Sequence, residues 1–112
     1  MNQQETMFFI TTFEKLEFDE SYGWWRFGDQ RTPVFYTDLE KARNAVITNA
    51  MDMYETIYEY ATIEEIEVGR FYPECVSKEL YKVKIGDGYI DTTYEKIELP
   101  ENFPDYCSIV IG

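Results

Sequence analysis

Histidine is absent from this chain of 112 residues. That removes the side chain best suited to general acid–base work near neutral pH and the commonest zinc ligand. Cysteine is scarce, with only Cys75 and Cys107. A zinc site would have to combine two thiolates with carboxylates, a poor match to the usual tetrahedral sets. Neither a metal nor any other cofactor is expected. Two thiols without repeated spacing fit a reducing cytoplasm, and whether Cys75 pairs with Cys107 stays open. The opening Met1-Asn2-Gln3-Gln4-Glu5-Thr6 lacks the basic and apolar regions of a secretion signal. Residues 1–6 read as either a disordered leader or an extended start. No apolar run approaches the roughly 20 residues of a membrane helix, so no membrane partner is expected.

Positive charge is the other shortage. Ten bases face 22 acids, for a net charge of −12. Nucleic-acid binding draws its affinity from Lys and Arg displacing counterions from phosphate. This field repels a polyanion, so no direct nucleic-acid contact is expected. The bases are scattered, and only Lys78, Lys82 and Lys84 form a loose group.

What the chain has in quantity is apolar and aromatic mass, 45% and 18% of residues. That composition supports a packed core in one domain of ordinary size, not a disordered chain. Residues 7–112 read as a single α+β domain.

Met7–Leu16 (MFFITTFEKL) is β-branched and aromatic, with Phe8 and Ile10 at one parity and Phe9 and Phe13 at the other. A strand covered on both sides follows. Residues 17–31 carry Gly23, Gly28 and Asp29 and read as a long loop holding Tyr22, Trp24, Trp25 and Phe27. A short strand is expected at Pro33–Tyr36, where the proline fits only a strand start or an edge. Thr37-Asp38-Leu39-Glu40 has the form of a capping box, with Thr37 as cap and Glu40 reaching back. The stripe Leu39, Ala42, Val46, Ala50, Met53, Ile57 then predicts a helix to about Ile57.

Tyr58–Val68 reads as a strand in which Ala61 and Ile63 share one parity and Ile66 and Val68 the other. Either a bulge near Glu64-Glu65 or burial on both faces reconciles them. Residues 69–78 read as loop. Leu80–Ile85 and Tyr89–Leu99 flank Gly86-Asp87-Gly88 as a hairpin, and Cys107–Ile111 is a candidate final strand. The fold class is α+β: one long helix packed on a mostly antiparallel, twisted sheet of about five strands, in the order β-β-α-β-β-β.

Several strings resemble a group of short uncharacterised proteins of Firmicutes and their phages. They are TTFEKLEF, Arg31-Thr32, FYTDLEKARNAV, Asn49, YEYATIEEIEVGRFYPE and Ile97-Glu98-Leu99-Pro100. The shared pattern is a strand opening in Thr-Thr and a helix start of the form Phe/Tyr-x-x-Leu/Phe-Glu-x-Ala. A Tyr-Ala-x-Ile-Glu-Glu-Ile/Val-Glu-x-Gly stretch then leads to Tyr-Pro. The resemblance covers most of residues 7–112, while Trp24-Trp25 and the Gly86-Asp87-Gly88 insert depart from it. It implies no activity and transfers no site residue.

No motif assigns catalysis. Cys75 as a nucleophile would need a base, and no histidine supplies one. Gly86-Asp87-Gly88 lacks the helix and lysine of a phosphate loop. Glu64, Glu65 and Glu67 could imitate a metal cluster, but neighbours in a strand point to opposite faces, and a solvated strand edge is the simpler reading. An enzyme is the least favoured class.

Two features remain. Trp24 and Trp25 are adjacent and cannot easily share one pocket, so the loop either caps the core or presents an interface anchor. Asp52, Glu55, Glu59, Glu64, Glu65 and Glu67 fall in a stretch between Arg43 and Arg70 with no base, interleaved with Tyr54, Tyr58 and Tyr60. Such a tract is a solvated face or a lure for a basic surface. The expected role is a non-enzymatic module docking a basic partner. Its sharpest form is a phage or mobile-element inhibitor that mimics nucleic acid and occupies a nucleic-acid-binding host protein. The alternatives are a small-molecule or nucleotide binder with an aromatic pocket, and an accessory domain or homo-oligomer that associates through the tryptophan loop.

Overall fold

A computed structural model describes residues 6–67, 75–86 and 91–104. The fold is α+β, with a five-stranded antiparallel sheet in the order β4-β1-β5-β6-β7. Its strands are β1 (Thr6–Phe13), β4 (Gln30–Tyr36), β5 (Tyr60–Glu67), β6 (Ser77–Lys84) and β7 (Thr93–Ile97). The helix α1 (Leu39–Ile47) lies between β4 and β5 in the chain. A second, two-stranded sheet pairs β2 (Glu17–Asp19) with β3 (Trp24–Arg26). The segment expected to be a long loop is thus a hairpin. Asp19 turns the chain by accepting from the backbone N–H of Ser21 at 3.0 Å, and Gly23 takes the positive φ of 72° that closes the turn. The expected strand at residues 107–111, the Gly86-Asp87-Gly88 turn beyond Gly86, and most of the N-terminal leader lie outside the described residues.

Register divides the sheet's side chains between two faces. Phe8, Ile10, Ala61, Ile63, Tyr81, Val83 and Tyr94 share one face and meet Ala42, Ala45 and Val46 of α1 in the main core. Phe9, Thr11, Phe13, Tyr60, Thr62, Glu64, Lys78 and Leu80 share the other. β5 keeps continuous register with both neighbours, and Ala61, Thr62, Ile63 and Glu64 are all buried. Burial on both faces therefore explains its mixed parity, and the anticipated bulge near Glu64-Glu65 is not there. The extra residue sits in β4 instead. Ile10 faces Val34, but Thr12 faces Arg31, so β4 spends three steps against two of β1. Pro33 lies inside that bulge on an edge strand, where its missing N–H breaks no ladder bond. Thr11 Oγ1 and Thr32 Oγ1 share a 2.8 Å hydrogen bond across the irregularity.

The helix differs from expectation at both ends. Asp38, not Thr37, is the cap: its backbone is extended and its side chain accepts from the Glu40 N–H at 2.9 Å. Glu40 is then too early to close a capping box and pairs with Arg43 at 2.8 Å. At the far end the helix stops ten residues early, at Ile47 rather than Ile57. Thr48 Oγ1 donates to the Asn44 carbonyl at 2.8 Å, and Asn49 turns left-handed at φ 52°. Asn is among the few residues that adopt this conformation readily after a helix. A 3₁₀ turn (Ala50–Asp52) follows, and Met51, Asp52, Glu55 and Thr56 also have positive φ. The apolar stripe survives the break in part: Met53 stays buried in the core, while Ile57 is exposed.

Candidate functional site

The hairpin that contains the two tryptophans lies against the sheet face opposite α1. Cross-strand pairs set its two sides. Phe18 opposes Trp25, and Asp19 opposes Trp24. Trp25 turns inward, packing edge-on to Phe103 at 5.8 Å, while Phe18, with its ring centroid 5.2 Å from that of Trp25, stays exposed at the hairpin's rim. Trp25 Nε1 donates to the Asn102 carbonyl at 3.0 Å. Phe27 continues the seam, with its ring 5.0 Å from Phe13 and 5.8 Å from Phe103. Phe13 stacks on Tyr60 at 5.5 Å, so the hairpin is tied through aromatic edges to β1 and β5. Gly28 closes the seam: a side chain there would come within 2.5 Å of Glu14 Oε1, and its φ is +69°.

Trp24 points the other way. It is 57% exposed and stacks with Tyr22, itself 70% exposed, at 5.4 Å and 27° between planes. The two sequence readings of the tandem are thus divided between neighbours: Trp25 caps the sheet and Trp24 faces solvent. On the same outer side Asp19 holds Arg26 at 2.7 Å, and Glu17 lies across from Arg26. A 480 Å³ depression is lined by Glu17, Phe18, Asp19, Glu20 and Arg26.

The acidic tract does not form one surface. Asp52, Glu55 and Glu59 are exposed at the end of the sheet where β5 begins. Arg31 Nη1 donates to both Glu55 oxygens, at 3.1 and 2.8 Å, and Tyr58 donates to Asp29 Oδ2 at 3.1 Å. Burial and then the Asp29 carboxylate push the Tyr58 hydroxyl's pKa up. Glu67 lies at the opposite end of β5, roughly 23 Å away at about 3.3 Å per residue. Glu65 is half-buried there and accepts from Ser77 Oγ at 2.8 Å.

Glu64 corrects the sequence reading most plainly. It is fully buried at 0% exposure and offers no carboxylate to a partner. The reason is its place in β5, an interior strand covered on both faces. Its Oε2 sits 3.1 Å from Lys78 Nζ and 3.6 Å from Cys75 Sγ. Lys78 in turn donates to the Pro104 carbonyl at 2.9 Å and lies over the Phe103 ring at 5.2 Å. Two residues expected in a loop or on the surface therefore build an ion pair beneath the aromatic cover. A 230 Å³ cavity beside it is lined by Cys75, Ser77, Lys78, Leu99, Phe103 and Pro104.

Sequence reasoning passed over a second ionic group, on the helix side. Arg43 makes a forked pair with Glu79, at 3.0 and 2.5 Å, Tyr81 donates to Glu79 at 2.8 Å, and Lys96 lies 3.3 Å away. The Arg43 guanidinium foremost, with Tyr81 and Lys96, holds the Glu79 carboxyl down to about 2. Burial and the Glu79 charge push the Tyr81 hydroxyl up. The spacing of 36 residues between Arg43 and Glu79 leaves no local signal.

Among the described residues, no group of three or more acidic or thiol side chains is placed to hold a metal ion. None of their helices is long and apolar enough to cross a membrane. The fold and site define a two-faced α+β sheet protein with an outward aromatic pair on an anchored hairpin. Comparison with protein families, curated proteins and solved structures finds no match.

Proposed function

We propose that the protein is a non-enzymatic binding module that docks a positively charged surface of another protein. The observation that carries this reading is the division of the tryptophans: Trp25 anchors the hairpin, while Trp24 and Tyr22 stand stacked in solvent. A rigid exposed indole is a strong interface anchor because it removes much apolar area from water at little entropic cost. The net charge of −12 supports a basic partner by steering it and raising its on-rate. Self-association through the same hairpin is opposed by that charge, since two copies would bring like fields together.

The aromatic-pocket alternative loses much of its material to the core. Tyr54, Tyr58, Tyr81 and Tyr94 are buried between the helix, the following turns and the sheet. The narrower reading, a phage or mobile-element inhibitor that mimics nucleic acid and blocks a nucleic-acid-binding host protein, keeps Asp52, Glu55, Glu59 and Glu67 as its charges. Their separation at two ends of β5 favours contact along the length of the sheet over contact at one spot.

The test is capture of a partner from the native host, followed by affinity measured across ionic strength with wild type and Trp24→Ala. The expected result is binding that weakens steadily with salt and drops by about tenfold or more in the variant. Affinity indifferent to salt would sink the charge argument.

A further inference from the structure

Resting on the basic-partner reading, we infer that the outer side of the hairpin is an arginine-binding platform, and that the partner docks through an exposed arginine-bearing segment. The geometry separates arginine from lysine. Register puts Glu17, Asp19, Trp24 and Arg26 on one side of β2 and β3, and Tyr22 joins them by stacking on Trp24. Trp24 keeps 57% exposure with Tyr22 already against it, so indole surface remains for a third planar group. A guanidinium is planar, weakly hydrated and able to stack on a ring while its edge N–H groups bond carboxylates. A lysine ammonium can do the second but not the first.

Carboxylates lie on the same side of the hairpin as Trp24. Glu17 and Glu20 are exposed and line a depression with Phe18, Asp19 and Arg26. Glu17 has two cationic neighbours, Lys15 in a well-exposed pair at 3.8 Å and Arg26 across the ladder. Asp19 already binds a guanidinium of this chain, Arg26, at 2.7 Å. That internal pair leaves Glu17 and Glu20 as the incoming arginine's partners. The platform is also held in place: Asp19 fixes the turn, and Trp25 ties the strand beneath Trp24 to Asn102. A partner arginine would not have to order a mobile loop, which lowers the entropic cost of docking.

The experiment uses the full chain and two synthetic peptides of equal length and charge, one with alternating arginine and glycine and the other with lysine in place of arginine. Binding is measured by calorimetry at low and moderate salt, with wild type, Trp24→Ala, Trp24→Phe and the double variant Glu17→Gln with Glu20→Gln. Wild type is expected to favour the arginine peptide by about fivefold. Trp24→Ala should abolish that preference, Trp24→Phe should keep part of it, and the carboxylate variant should weaken both peptides and flatten the salt dependence. Because Trp24 points into solvent, the variants should melt with wild type, and coincident melting curves verify that. If both peptides bind equally and Trp24→Ala binds like wild type, the platform is overturned, while salt-dependent binding of both leaves the broader reading standing. If neither peptide binds at low salt, both ideas fall together.

Discussion

The two faces of the central sheet are closed by different means. On one face a helix covers aliphatic and tyrosine side chains, and its contacts are continuous in sequence over residues 39–47. On the other, two segments about 77 residues apart, the hairpin and the stretch around Asn102, meet over a floor that includes Thr11, Thr62, Glu64 and Lys78. The first face is an apolar core flanked by the partly exposed Arg43–Glu79 pair. The second encloses an ion pair and hydroxyls that need partners, and its cover is aromatic. In that cover Trp24 and Trp25 are adjacent in a strand and so point to opposite faces, and there the exposed tryptophan arises.

The largest effects should come from cutting each face to its floor. Ile63→Ala, on the helix side, should cost about 4 kcal/mol in chemical denaturation, whereas Phe27→Ala, half-buried in the aromatic cover, should cost about 2 kcal/mol. Equal costs would erase the contrast. Next in size, Glu64→Gln should cost about 3 kcal/mol by leaving the Lys78 charge buried with less compensation. Adding Lys78→Met should recover much of that loss, and no recovery would mean that the ion pair is not what Glu64 supports.

A smaller effect sharpens the helix side. Glu79 sits at about 2 in the folded protein against 4.5 for the free group, so folding favours its charged form. The resulting stability is present in full above pH 4.5 and is lost as pH falls toward 2. Glu79→Gln should cost about 1–2 kcal/mol at neutral pH and flatten stability across that acid window. A variant whose acid limb matches wild type would show that Arg43 does not depend on this carboxylate. The smallest effect should have the opposite sign. Met51 is exposed at φ 58°, so Met51→Gly should raise stability by roughly 0.5–1 kcal/mol through relief of left-handed strain.

The contrast also explains what the sequence disclosed. The helix face was legible: Leu39, Ala42 and Val46 recur with helical period, and the β-β-α-β-β-β order of the main sheet follows from pattern alone. The helix end was misplaced because Ala50 and Met53 stay apolar and inward after the helix has stopped, so hydrophobic spacing ran past the signal in Thr48 and Asn49. That signal was readable as a hydroxyl followed by a residue tolerant of positive φ. The aromatic face was not legible. Trp25 with Asn102, and Phe27 with Phe103, have no period linking them, and the burial of Glu64 depends on which strands flank β5. Of the eight candidate partner residues, Trp24, Asp52, Glu55 and Glu59 stand exposed, and Trp25 and Glu64 turn inward.

The opposed tryptophans also make the molecule its own optical instrument. An indole in water emits to the red of one enclosed by protein, so Trp24 and Trp25 give two colours from adjacent positions. A ligand that settles on the outer side of the hairpin should disturb the red component alone. Loss of the hairpin from the sheet should first move the blue one. Docking and detachment, which a single tryptophan would report as one blurred change, become separable in a single emission scan without any label.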